Sequence, residues 1–140
     1  MAVDYGDART GIAVSDESAS LVGDAWVIHS KSLASVAQSI ANEANARQVS
    51  EIIIGYPKNM NGSVGPRAEK SEQLTEAIRG FCCIDVVLWD ERMTTMSASR
   101  ILNDAGRHGK KRKKIIDAVA ASLILENYLQ GLKRSPTARD

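Results

Sequence analysis

The chain has 140 residues, 44% of them hydrophobic and 25% charged, which fits one globular domain and leaves too little length for two independent cores. That hydrophobic content excludes a disordered chain, no apolar run approaches the ~20 residues of a membrane span, and the first residues lack a secretory pattern, so a cytoplasmic protein is expected. The net charge of +1 conceals an asymmetry: residues 107–114 hold six Lys/Arg and no acid, leaving twelve Lys/Arg against seventeen acids elsewhere, a net −5. A basic segment on an acidic body suits the docking of a polyanion.

In chain order, Ala2–Gly6 and Gly11–Ser15 are short apolar segments around Asp7-Ala8-Arg9-Thr10, the pattern of a hairpin. Asp24–Ser30 suits a third strand. From Lys31 to about Arg47, Leu33, Val36–Ala37, Ile40–Ala41 and Ala44 recur at helical period, and Ser32 is placed to cap that helix. Ser50–Tyr56 contains Ile52-Ile53-Ile54, a β-branched run expected of a strand covered on both faces. A loop over Lys58–Gly65 precedes Pro66, which suits the first turn of a helix reaching about Arg79. Asp85–Trp89 is a further buried strand, Thr94 or Thr95 can cap a helix to about Ala105, and Ile115–Leu129 is an almost continuously apolar last helix. An antiparallel start feeding helix-linked strands predicts a mixed sheet with helices on both faces, with ligands at the carboxyl ends of its parallel strands.

Two cysteines side by side, Cys82 and Cys83, form neither a disulfide framework nor a zinc site. Six aromatics leave few platforms for stacking bases, which disfavours an aromatic-rich single-strand binder. The informative residues are acids. Asp4 sits inside the first strand, where a charge is costly unless it is paired or binds a metal, although it could also help form the adjacent turn. Asp90 and Glu91 close a strand, where alternation sends them to opposite faces and pairing with Arg92 is the ordinary alternative. Asp117 is the only charged residue between Ile115 and Leu125, with Ala120, Ala121 and Ile124 as helical neighbours; an acid near a helix N-terminus is also favoured by the macrodipole alone. Two strand ends and a late helix can converge at one sheet edge. Convergent carboxylates need a cation between them, and their hard oxygens select Mg²⁺ or Mn²⁺.

The segments Asp4-Tyr5-Gly6-Asp7-Ala8-Arg9-Thr10-Gly11, Ile54–Gly62, Gly65-Pro66-Arg67, Trp89–Thr95 and Lys110–Ala120 together resemble the YqgF family of RNase-H-like, Holliday-junction-resolvase-like pre-16S rRNA nucleases. The resemblance runs from Met1 to about Leu129 and implies an α/β, RNase-H-like fold with a central five-stranded mixed sheet and helices on both faces. It also implies phosphodiester hydrolysis with Mg²⁺ or Mn²⁺ and a cytoplasmic role at rRNA ends. Carried over residue by residue, Asp4, Glu91 and Asp117 are the expected catalytic and metal-binding carboxylates, with Asp90 a weaker stand-in for Glu91. Arg9, Asn59, Asn61 and Arg67 are expected at the substrate, and Lys110, Lys111, Arg112, Lys113 and Lys114 are expected on its backbone just before the catalytic helix, the glycines at 106 and 109 suggesting mobility. Turn formation by Gly62 and Gly65, loop satisfaction by Asn59 and Asn61 and a solvated basic face are the structural alternatives.

The expected nuclease domain is 1–131 and 132–140 a flexible tail. One departure from the family is the start: only Met1-Ala2-Val3 precede Asp4, so either the strand is unusually short or translation starts upstream. The expected partner is nucleic acid, pre-rRNA first and branched DNA second, with no membrane. Two further readings compete. Asp4-x-Gly6 with Gly11 is similar to the first phosphate loop of actin-like ATPases, but those need two such domains and the length allows one. A non-catalytic rRNA-binding assembly factor would use the basic segment alone.

Overall fold

The computed structural model describes residues 1–16, 22–91 and 109–134, the last of these by backbone alone over 109–117 and 132–134. Three strands open the chain: β1 (Ala2–Asp4), β2 (Arg9–Ser15) and β3 (Val22–His29). Then come α1 (Leu33–Ala46), β4 (Glu51–Tyr56), α2 (Pro66–Arg79), β5 (Asp85–Asp90) and α3 (Gly109–Arg134). The strands form one sheet in the order β3-β2-β1-β4-β5. β1 runs antiparallel to β2 and parallel to β4, and β4 runs parallel to β5. The expected five-stranded mixed sheet is present. The expected helix from Thr94 or Thr95 to Ala105 lies outside the described residues.

Local chemistry explains the boundaries. Ser32 caps α1, its hydroxyl accepting from the Ser35 amide at 3.1 Å. α1 ends where Gln48 turns left-handed (φ 55), and the Val49 amide returns to the Ala44 carbonyl at 2.9 Å. Pro66 opens α2, where its missing N–H costs nothing. Continuous β-branched sequence makes β4 a strand buried on both faces.

Side-chain alternation sorts the core into two layers of different size. One face carries Val3, Ile12, Val14, Ile52, Ile54 and Val86 beneath α1 and α2. The other carries Ala2, Ala13 and Ile53 beneath Ala121, Ile124, Leu125 and Leu129 of α3. Alanines on both the sheet and the helix let α3 lie close. Tyr128 of α3 hydrogen-bonds the Glu51 carboxylate at the start of β4, while Ile124 lies beside Gly55 near its end. α3 therefore runs against β4, and its N-terminal turns emerge at the carboxyl ends of the parallel strands.

The basic run is placed differently from expectation. Lys110–Lys114 lie inside the first turns of α3 rather than before it, because lysine and arginine are good helix formers and nothing between Gly109 and Ile115 breaks the helix. α3 also continues to Arg134, past residue 131. No helix among the described residues is long and apolar enough to cross a membrane.

Candidate active site

The acids expected to act together come from strands separated only by β4. Asp4 ends β1 and faces the side of the sheet covered by α3, because it shares the parity of Ala2. Its register partner on β2 is Gly11. On the other flank, Val3 pairs with Ile54, which brings Gly55 alongside Asp4. The position is therefore bordered by two residues without side chains.

Glu91 uses that opening. It follows β5 with the parity of Trp89, which packs in the α3 layer, whereas Asp90 pairs with Tyr56 and faces the other way. Its carboxylate passes over Gly55, where an added Cβ would lie 2.5 Å from Glu91 Oε1 and 2.8 Å from Ile124 Cδ1. A glycine inside a strand marks close approach, and here it makes room for the Glu91 carboxylate. Of the two acids at the end of β5, the register turns Glu91 to the face that carries Asp4.

Glu91 hydrogen-bonds the Asp4 carboxyl, and its own carboxyl is pushed up to about 7, first by burial and then by the negative charge of Asp4. Arg67 near the start of α2 pulls in the opposite direction. Two carboxyls in contact hold a proton between them near neutral pH unless a cation replaces it. That donor set, all oxygen and short of positive charge, fits Mg²⁺ or Mn²⁺. Among the described residues no group of three or more His, Cys, Asp or Glu stands together. Position 117 lies on α3 seven residues, or two turns, before Ile124; its side chain lies outside the described residues.

The remaining expected residues are distributed around this pair. Arg9 opens β2 opposite His29. Arg67 lies close enough to act electrostatically on both Glu91 and Asp7, and Asp7 is tied to Lys70 by an ion pair that holds its carboxyl below the ordinary range. Asn59 and Asn61 turn into their own loop. The Asn59 amide donates to the Ser63 hydroxyl at 2.8 Å, and Asn61 Oδ1 accepts from the Ser63 amide at 3.0 Å and from its hydroxyl at 2.7 Å. The Asn59 amide N–H also reaches the Ser63 carbonyl (3.0 Å), and Gly62 (φ 87) supplies the left-handed turn. Sequence reasoning assigned no role to Gly55, Ser63, Asp7 or Lys70. For Gly55 the signal was available, as a lone glycine after three isoleucines.

Residues 1–131 match the model of a family described as RuvX: Holliday junction resolvase. The chain belongs to this family. Relatives from Halothermothrix orenii and Ruminiclostridium cellulolyticum are 43% and 40% identical, each match covering 92% of both chains. A relative from Caldanaerobacter subterraneus subsp. tengcongensis is 39% identical over 96% of this chain and 98% of its own. All three carry the name "Putative pre-16S rRNA nuclease". Among solved structures, T. thermophilus RuvC in complex with a Holliday junction substrate superposes with a TM-score of 0.56 over 92% of each chain at 12% identity. At that identity the likeness concerns the fold, which is the RNase-H-like fold the sequence led us to expect.

Proposed function

We propose that this RuvX-family chain is a divalent-metal-dependent nuclease that hydrolyses phosphodiester bonds at the ends of pre-16S rRNA in the cytoplasm. One observation carries the reading: Asp4 and Glu91 meet over a glycine gap at the carboxyl end of the sheet, and burial with the neighbouring Asp4 charge pushes the Glu91 carboxyl up to about 7. The names of relatives about 40% identical over nearly the whole chain support the substrate.

Asp4 and Glu91, joined by Asp117 from α3, would hold Mg²⁺ or Mn²⁺, which when bound supplies an activated water and stabilises the leaving oxygen. The chain's own residues do the rest. Gly11 and Gly55 keep the approach to the carboxylates open. Arg67 opposes the charge of Glu91 and stands ready for a phosphate oxygen, while Arg9 and the 57–65 loop border the same end of the sheet. Asn59 and Asn61 serve the substrate by fixing the loop's shape. Lys110–Lys114 on the emerging turns of α3 would hold the phosphate backbone. The family's description favours a second substrate, branched DNA.

The test is cleavage of a pre-16S rRNA fragment and a four-way DNA junction in Mg²⁺ or Mn²⁺. Asp4→Asn is expected to lower turnover at least a hundredfold while RNA binding persists. Equal turnover by Asp4→Asn and wild type, or no cleavage of either substrate, would leave a binding factor in place of an enzyme.

A further inference from the structure

The loop between β4 and α2 is fastened at its base and apolar at its tip. Its backbone and the side chains of Asn59, Asn61 and Ser63 close on one another, which fixes the shape of the turn. Between the two asparagines, Met60 is 89% exposed, the most exposed of the large hydrophobic side chains described, and Val64 on the same loop is 43% exposed. Single exposed hydrophobics are ordinary on a mobile surface. Here the side chain is held out by a closed hydrogen-bonded turn whose ends are fixed by β4 and α2.

Its position relative to the carboxylates is bounded. Met60 lies five positions after Gly55, which touches Glu91, so the tip lies within about 18 Å of the acid pair even with the chain fully extended. Two cations flank the loop. Lys58 lies over the Tyr56 ring at 5.3 Å, and Arg67 acts on Glu91. A phosphate held by Lys58, two positions before Met60, would leave a neighbouring base of the same strand within reach of the apolar tip. Only six aromatics occur in the whole chain, so a polarizable, adaptable methionine is the residue at hand for such a contact.

We propose that Met60 packs against an unstacked base of the nucleic acid, within a few nucleotides of the bond cleaved, and so selects substrates with unpaired bases beside the scissile phosphate. Apolar side chains inserted between bases work in this way, and a base already outside a duplex spares the cost of unstacking. The inference rests on the nuclease reading for its substrate class. It goes beyond that reading in assigning base selection to a side chain that holds no charge and touches no metal.

The experiment uses RNA hairpins with a single-stranded extension carrying 2-aminopurine at successive positions, titrated in Ca²⁺, with steady-state cleavage in Mg²⁺ alongside. Wild type is expected to change the fluorescence at one or two neighbouring positions. Met60→Ala should abolish that change and raise KM about fivefold with kcat nearly unchanged, the lower end of what one stacked base contributes. Met60→Leu should restore both, and all three proteins should melt together, since the side chain packs on nothing. Cleavage by wild type without a fluorescence change at any position, or a Met60→Ala enzyme matching wild type on RNA, overturns the base contact and leaves the tip to a protein partner. A fluorescence change without cleavage of RNA or of a four-way DNA junction removes the nuclease reading and keeps the base contact.

Discussion

The two carboxyls at the sheet centre are a source of instability as long as nothing positive lies between them. Glu91 is raised from 4.5 to about 7 by burial and by Asp4, so in the metal-free protein its charged form is disfavoured by folding. For an acid raised in the folded state, the native protein binds more protons than the unfolded chain between those two values. Stability therefore falls as pH rises from about 4.5 to about 7, and is level on either side. Glu91→Gln keeps the shape and removes the titration. In EDTA, its urea midpoint is expected to exceed that of wild type at pH 8, by at most about 3 kcal/mol in stability, and to match it near pH 4.5. Equal midpoints at pH 8 would mean that the pair carries no strain. Lysine and arginine elsewhere do not relieve the pair in full: Arg67 opposes the rise, and Lys70 is engaged by Asp7.

At the scale of elements, the turn from α1 into β4 carries a local conflict that function does not explain. Gln48 adopts a left-handed conformation (φ 55) that costs a side-chain-bearing residue about 1 kcal/mol and suits glycine. Gln48→Gly is expected to raise stability by about 0.5–1 kcal/mol, read as a higher urea midpoint with unchanged slope, and to leave cleavage alone. A lower midpoint would show that the flexibility gained by the unfolded chain outweighs the relief. Most elements were legible from sequence because their signals are local: Ser32 and the 3.6-residue apolar period for α1, Pro66 for α2, three isoleucines for β4. The start of α3 was not, since Lys110–Lys114 carry no apolar periodicity to extend the pattern of Ile115–Leu129. The residue pattern of β5 alone left Asp90 and Glu91 open and only the family resemblance preferred Glu91; which of the two faces Asp4 depends on the register of β5 against β4 and on the absent Cβ of Gly55. Pairing across strands is a tertiary fact. The asparagines of the 57–65 loop illustrate the same limit: their residue types suit substrate contact and loop closure equally, and their hydrogen bonds with Ser63 establish the loop closure.

Over the whole molecule, the charge asymmetry acquires a direction. The body carries a net −5, and Lys110–Lys114 occupy the end of α3 that emerges at the carboxyl ends of the parallel strands. A polyanion is repelled by most of the surface and admitted at that end. Helical geometry also limits how many of these cations act together. At 100° per residue, positions 110, 113 and 114 fall on one stripe with 117 and 124, while 111 and 112 fall on the opposite side. The stripe is the one that reaches Gly55 through Ile124, so it leads toward the carboxylates. About three phosphate contacts on single-stranded RNA predict that log affinity falls against log salt with a slope of about −2. Charge-matched pairs separate geometry from net charge. Lys113→Ala with Lys114→Ala should flatten the slope by about 1.4 and weaken binding across sequences, because phosphate contacts position a strand without reading it. Lys111→Ala with Arg112→Ala removes the same two charges and should change the slope little. Turnover at saturating RNA should fall far less in either pair than in Asp117→Asn, because these cations position the strand and the proposed metal is held by the acids. Equal losses from the two pairs would show that the helix attracts RNA by charge alone and does not orient it.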